Sequence, residues 1–283
     1  MKLKVKISAT IIKLYLVVII IITTFIAVIG CNDTENKSLP LPAAEEIINR
    51  HAAASEKITS CRSQVTMIMD IAVSARKNDI LSMSLYTKGA VDLPGKKLEM
   101  DASISTELRG ESTSYKTKVY LIDNTLYTSD KESQDEGSQW RIKSLSGEET
   151  NAVWQEQADM LSASRYLNMF AASESIASRL VQKDGITCYL IEMTPDPEVL
   201  NEQMKDLISR FDSSAKTLPF DNLDIFESTK VSFWIDADTY NMVRYEIAAE
   251  LTFEDNGRTL KGYIENVSRF YDFDAELFIK APD

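Results

Sequence analysis

Polar and apolar positions alternate through most of this chain. Val65, Met67, Met69, Ile71 and Val73 share one side of a two-residue period, opposite Gln64, Thr66, Asp70 and Ser74, with Ile68 and Ala72 as apolar exceptions. Leu81, Met83, Leu85 and Val91 repeat the pattern against Ser82, Ser84 and Lys88. The cleanest case is Leu98, Met100, Ala102, Ile104 and Leu108 against Lys97, Glu99, Asp101, Ser103, Ser105 and Glu107. A period of two is the mark of a strand with one face in a core and the other in water. Shorter runs of the same kind predict strands over Thr113 to Ile122, Thr125 to Ser129, Trp140 to Ile142, Ser175 to Gln182, Ile186 to Thr194, Val231 to Ile235, Val243 to Phe253 and Thr259 to Ser268. Asp123-Asn124, Lys183-Asp184-Gly185, Asp236 to Thr239 and Asn256-Gly257 supply tight turns, so neighbouring strands are expected to run antiparallel in a meander.

Three stretches switch to the helical period. In Ala43 to Lys57, Ala44, Ile47, Ile48, His51, Ala52 and Ser55 line one face, with Glu45, Glu46, Asn49 and Arg50 opposite. The sole histidine of the chain therefore sits on the packed face and reads as a core or interface residue. Asn151 to Ala172 carries Val153, Trp154, Met160, Leu161, Leu167 and Phe170. Asp196-Pro197 then places a side-chain acceptor before a first-turn proline, followed by Leu200, Met204, Leu207, Ile208 and Phe211 at helical spacing. Helices interrupt the strands without alternating with them one for one, which predicts an α+β fold.

The amino end obeys different rules. Leu14 to Gly30 is a run of seventeen uncharged residues behind Lys2, Lys4, Lys6 and Lys13. A basic region, an apolar run and a small residue make a secretory signal, and Val28-Ile29-Gly30-Cys31 resembles the lipobox of bacterial-type lipoproteins. On that reading residues 1–30 are a signal peptide of lipoprotein type, Cys31 is acylated, residues 31–42 are a flexible tether, and residues 43–283 form a single domain. The alternative is an uncleaved membrane anchor, although seventeen residues are at the lower limit for a span. Either way the domain is expected outside the cytoplasm, held to the cell membrane.

Removing the leader takes away four lysines and no acids, so the net charge of −12 becomes −16. A chain this acidic repels phosphate backbones, which argues against nucleic acid as a partner. With Cys31 acylated, Cys61 and Cys188 remain; an even pair in an exported protein is expected to form a disulfide, the alternative being two separate buried thiols. No Gly-x-Ser-x-Gly elbow, His-Glu-x-x-His helix, phosphate loop or dinucleotide fingerprint is present, so no catalytic residue is nominated, no enzyme is expected, and no metal or cofactor is assigned. Asp236 and Asp238 lack the glycine and distal glutamate of a calcium loop and read as a solvated turn. Glu45-Glu46 and Glu148-Glu149 read as solvated surface charges.

This order of parts, with Phe233-Trp234-Ile235-Asp236-Ala237-Asp238-Thr239-Tyr240 and the terminal Phe278-Ile279-Lys280-Ala281-Pro282, resembles the LolA/LolB lipoprotein-carrier superfamily. Within it the likeness is nearest to exported lipoproteins of the mycobacterial LppX and LprG kind. The resemblance implies a curved, incompletely closed antiparallel β-barrel, a half-barrel, with helices covering its concave apolar face and a cavity that takes acyl chains. Such a protein binds a lipid or other long apolar molecule, for transfer or sensing at the cell envelope. Methionine adapts its shape to variable apolar guests, so the cavity candidates are Met67, Met69, Met83, Leu85, Met100, Ile104, Met160, Leu167, Met204 and Ile208; any one methionine taken singly reads first as ordinary core. The implied partners are an apolar ligand, the membrane through Cys31 and an envelope protein, with the chain a monomer. A structural or regulatory module that uses the same fold to grip another protein is the alternative.

Overall fold

The computed structural model describes residues 41–72, 80–132, 140–161, 170–198, 200–201, 226–255 and 258–282. Eleven strands form one antiparallel sheet: β1 Ser60–Ala72, β2 Ile80–Asp92, β3 Lys97–Leu108, β4 Glu111–Ile122, β5 Thr125–Glu132, β6 Arg141–Ser144, β7 Ser173–Lys183, β8 Ile186–Pro195, β9 Phe226–Asp236, β10 Met242–Asp255 and β11 Arg258–Tyr271. Two helices are described over most of their length, α1 Ala44–Ser55 and α2 Gly147–Leu161, and a further helical segment opens at Pro197.

The spatial order is β6-β5-β4-β3-β2-β1-β11-β10-β9-β8-β7. Two meanders thus meet at the centre, where β1 pairs with β11 from Arg62 opposite Tyr271 to Ile71 opposite Gly262. The sheet is not closed into a barrel, since β6 and β7 are its two ends. The connection from Ser144 to Ser173, which contains α2, carries the chain from one end to the other.

Local chemistry sets the turns. Arg109-Gly110 and Asp184-Gly185 have φ of 54° and 78°, and 50° and 83°; two successive positive values match the right-handed twist of a hairpin. In the β9–β10 turn the Asp236 carboxylate accepts N–H bonds from Asp238 and Thr239 at 2.8 and 2.9 Å, so this acid is occupied in closing the turn.

Alternation then sorts the faces. Odd positions of β1, β2 and β10 and even positions of β3 bring Val65, Met67, Met69, Met83, Leu85, Tyr245, Ile247, Ala249, Ala102 and Ile104 into one core, which Ile47 and Ile48 of α1 join. At one end of the same face, Ile58, Cys61, Val91, Leu121 and Leu145 pack with Trp154 of α2. On the opposite face the carboxyl-terminal segment is pinned by Leu277 and Ile279 against Ala90 and Tyr120, while Phe278 between them is 75% exposed. Asp274 ties this segment to the start of β1 by accepting from the N–H and hydroxyl of Thr59 at 2.7 and 2.8 Å.

Candidate apolar site on the core face

Five of the nominated residues form one continuous bed. Met67 stands opposite Leu85 and Met69 opposite Met83 across β1 and β2, and Leu85 stands opposite Ile104 across β2 and β3. All five are buried in the same core, and directly opposed side chains of antiparallel strands lie within contact distance. Met100 occupies the same face of β3 four residues before Ile104 and is half-buried. The other wing adds Ile191, Met193, Val231 and Phe233, the Phe233 ring packing on Tyr245 with centroids 5.1 Å apart. Cover thins towards one end: Ile71, Leu81 and Ile264 pack on this core but are only partly buried.

The remaining nominations are placed less fully. Met160 lies in α2; Leu167, Met204 and Ile208 fall outside the described residues, as do Cys31 and the leader. The predicted cap of the third helix is present, the Asp196 carboxylate accepting from the Glu198 N–H at 2.8 Å.

Helix α1 forms because its apolar stripe meets this bed. Ile47, Ile48, His51 and Ser55 are its buried residues, and Glu45 and Glu46 occupy the first turn, where negative charge suits the helix dipole. The helix is tied to the β9–β10 turn at a single residue. His51 Nδ1 lies 2.9 Å from the Tyr240 carbonyl oxygen, and the Arg50 guanidinium donates to the Tyr240 hydroxyl at 2.9 Å with its carbon 5.2 Å from the ring centroid. Tyr189 stacks on the same ring at 5.7 Å. Tyr240 has φ of 60°, a left-handed conformation that costs a bulky residue about 1–3 kcal/mol and persists only when its surroundings over-determine it. No local pattern in the sequence marks Tyr240 for this role.

The two cysteines are free, which corrects the expected disulfide. Cys61 is on β1 and Cys188 on β8, with β11, β10 and β9 between them. At about 4.8 Å per strand that is roughly 19 Å, far beyond the 4.4–6.8 Å between Cα atoms that a disulfide spans. They also face opposite ways: Cys61 joins the core near α2, and Cys188 packs with Val181, Leu190 and Trp234 on the other face. Burial pushes both thiols up to about 12, which makes them poor nucleophiles.

On that other face the Arg244 guanidinium lies over the Trp234 ring at 4.6 Å and pairs with Glu246. Burial lowers the pKa of Arg244, with Glu246 opposing that shift. Among the described residues no group of three or more metal-ligating side chains comes together.

Residues 43–283 match the model of a family of unknown function, DUF6612. Among curated proteins none matches. Of solved structures, the chain is similar to a beta-barrel-like protein of domain of unknown function DUF1849 from Brucella abortus, at 7% identity over 76% of this chain and 100% of that one, with a TM-score of 0.29. It is also similar to a LolA superfamily protein from Nitrosomonas europaea, at 11% identity over 82% and 95% of the two chains, with a TM-score of 0.18. Superpositions this loose assign neither ligand nor activity.

Proposed function

The chain belongs to the DUF6612 family, and we propose that it is a membrane-anchored exported lipoprotein that holds a lipid or other long apolar molecule between its sheet and its helices. The observation that carries this reading is the bed of Met67, Met69, Met83, Leu85 and Ile104 facing Ile47 and Ile48 in one core. Flexible thioethers concentrated on adjacent strands make a surface that can repack around guests of different shape. In this reading the open sheet curves into an incomplete barrel, the helices roof its concave side, and a guest chain enters where Ile71, Leu81 and Ile264 are half-covered. Each methylene that leaves water contributes about 0.8 kcal/mol, so half an acyl chain gives useful affinity with no catalytic group.

The lipid foot on Cys31 keeps the domain at the envelope, which suits a tethered donor, acceptor or sensor. The protein purified gently from membranes and weighed by native mass spectrometry should carry co-purifying lipid. A bare mass under conditions that preserve other lipid complexes would overturn the reading in favour of a protein-gripping module. Replacing Cys31 with serine should release the chain from the membrane fraction; retention there would point to an uncleaved anchor.

A further inference from the structure

Helix α1 takes one polar ring into the core and uses half of it. His51 is 3% exposed, and its Nδ1 faces the Tyr240 carbonyl at 2.9 Å. A carbonyl oxygen only accepts, so Nδ1 carries the proton and Nε2 of the neutral ring is a lone-pair acceptor. Burial lowers His51 to about 4, which keeps the ring neutral at ordinary pH. Nε2 is itself buried and, among the described residues, has no hydrogen-bond partner. Buried acceptors are ordinarily satisfied, and one left bare asks for an explanation. Holding the Tyr240 carbonyl does not supply it, because an asparagine N–H could do the same.

The strands of this core also bury a row of polar side chains. Tyr245 stands opposite Ser268, Ser268 opposite Val65, and Val65 opposite Thr87. This row crosses the centre of the sheet, with Asn266 two residues from Ser268 on the same face. All four polar residues are buried, Tyr245 and Ser268 completely, and the Ser268 hydroxyl lies 3.4 Å from the Asn266 amide oxygen. A bed meant only for hydrocarbon has no use for three hydroxyls and an amide at its centre, each of which requires a hydrogen-bond partner there.

We propose that His51 Nε2 accepts a hydrogen bond from a hydroxyl of the bound molecule, so that the ligand class is a long-chain alcohol or hydroxylated lipid. A plain hydrocarbon, an ether or an ionised carboxylate brings no hydrogen to this nitrogen. The inference rests on the apolar-ligand reading above and adds the polar group that the ligand must carry. To reach Nε2 the guest must displace core side chains, and methionines are the side chains of this core that repack most readily.

The test uses the full chain stripped of lipid, with hexadecanol and its methyl ether as probes in a competition assay. The alcohol should bind about tenfold more tightly than the ether. His51→Asn, which keeps an N–H for Tyr240, should bind both with the affinity of the ether. Because His51 is the only histidine, a protein labelled with nitrogen-15 at histidine gives one imidazole spectrum, and its Nε2 resonance should move upfield with alcohol and stay still with ether. That readout on the unsubstituted protein stands even if the variant fails to fold. Equal affinities, an Nε2 resonance that ignores the alcohol, or a preference surviving in His51→Asn overturns the inference and leaves apolar binding intact. Failure of both probes to bind overturns the two together.

Discussion

Two patches of core lie on the same face of one sheet and are built from different materials. The patch beneath α1 has Met67, Met69, Met83, Met193 and Met242 among its buried residues. Among the described residues the patch beside α2 has none, comprising Ile58, Cys61, Val91, Leu121, Leu145 and Trp154. Their helices are fastened differently as well. At the start of α2, Ser146 and Glu149 cap each other's backbone, the Ser146 N–H donating to the carboxylate at 2.8 Å and the Glu149 N–H to the hydroxyl at 3.2 Å. The Trp154 indole N–H donates to the Asp123 carbonyl at 3.4 Å. At α1, Ala43 gives no side-chain cap, and the helix is held through Tyr240 instead. One patch is a shaped plug whose parts determine one another. The other is a methionine-rich bed under a helix whose described polar ties converge on Tyr240, and on the function proposed above it is the patch that would take the guest.

The largest expected effect tests that division directly. Trp154→Ala should cost about 3–5 kcal/mol, the usual toll for emptying a buried aromatic site, read as a lower midpoint in urea unfolding. Hexadecanol affinity of the folded fraction should stay unchanged. A folded variant that loses the ligand would show that the plug belongs to the binding site.

Acid separates the patches next. His51 is lowered from its ordinary 6.5 to about 4, mainly by burial, so below pH 6.5 the unfolded chain takes up a proton that the folded chain refuses. Its contribution to stability is therefore whole above pH 6.5 and is lost as the pH falls towards 4, about 2 kcal/mol by pH 5 and roughly 3 kcal/mol in all. Urea midpoints between pH 7.5 and 5 should fall in the natural protein and stay flatter in His51→Asn. Identical slopes in the two proteins would place the ring in water.

Most of this division can be read along the chain, because a period of two names the face of each side chain. It correctly put Met67, Met69, Met83, Leu85 and Ile104 on one side, and the helical period put His51 on the packed face of α1. Alternation names a face and never a partner. The pairing of β1 with β11 brings together residues about two hundred positions apart, with no local signal to announce it. That same gap explains the disulfide expected between Cys61 and Cys188, since cysteine parity says nothing of the three strands between them. Tyr245 was legible as a core-face residue, but its polar row with Ser268 and Thr87 exists only through cross-strand register. One signal was present and unused. Ser146-Gly147-Glu148-Glu149 spells a capping box, so α2 begins at Gly147 rather than Asn151, and Glu149, exposed as expected, also caps the helix start.

A subtler effect is expected where Met69 faces Met83. Exchanging both for leucine conserves volume and should cost under about 1.5 kcal/mol at each position, yet it replaces flexible side chains with branched ones. Binding measured across alcohols of increasing chain length should narrow to a preferred length. A doubly substituted protein that accepts the full range as before would assign the bed's adaptability to the backbone and remove the methionines from the argument.

The smallest effect belongs to the plug. Ser146→Ala removes the hydroxyl that receives the Glu149 N–H and should cost about 1 kcal/mol, the ordinary worth of a helix cap. Lys143 and Ser146 together hold the Glu149 carboxyl down at about 2, so its side of the box stays ionised through the pH range in which His51 loses its contribution. The loss from Ser146→Ala should accordingly be the same at pH 7.5 and pH 5, while the loss tied to His51 changes across that interval. A cap effect that grew in step with the acid sensitivity of His51 would mean the two helices open together, and the plug and the bed would then be one cooperative unit.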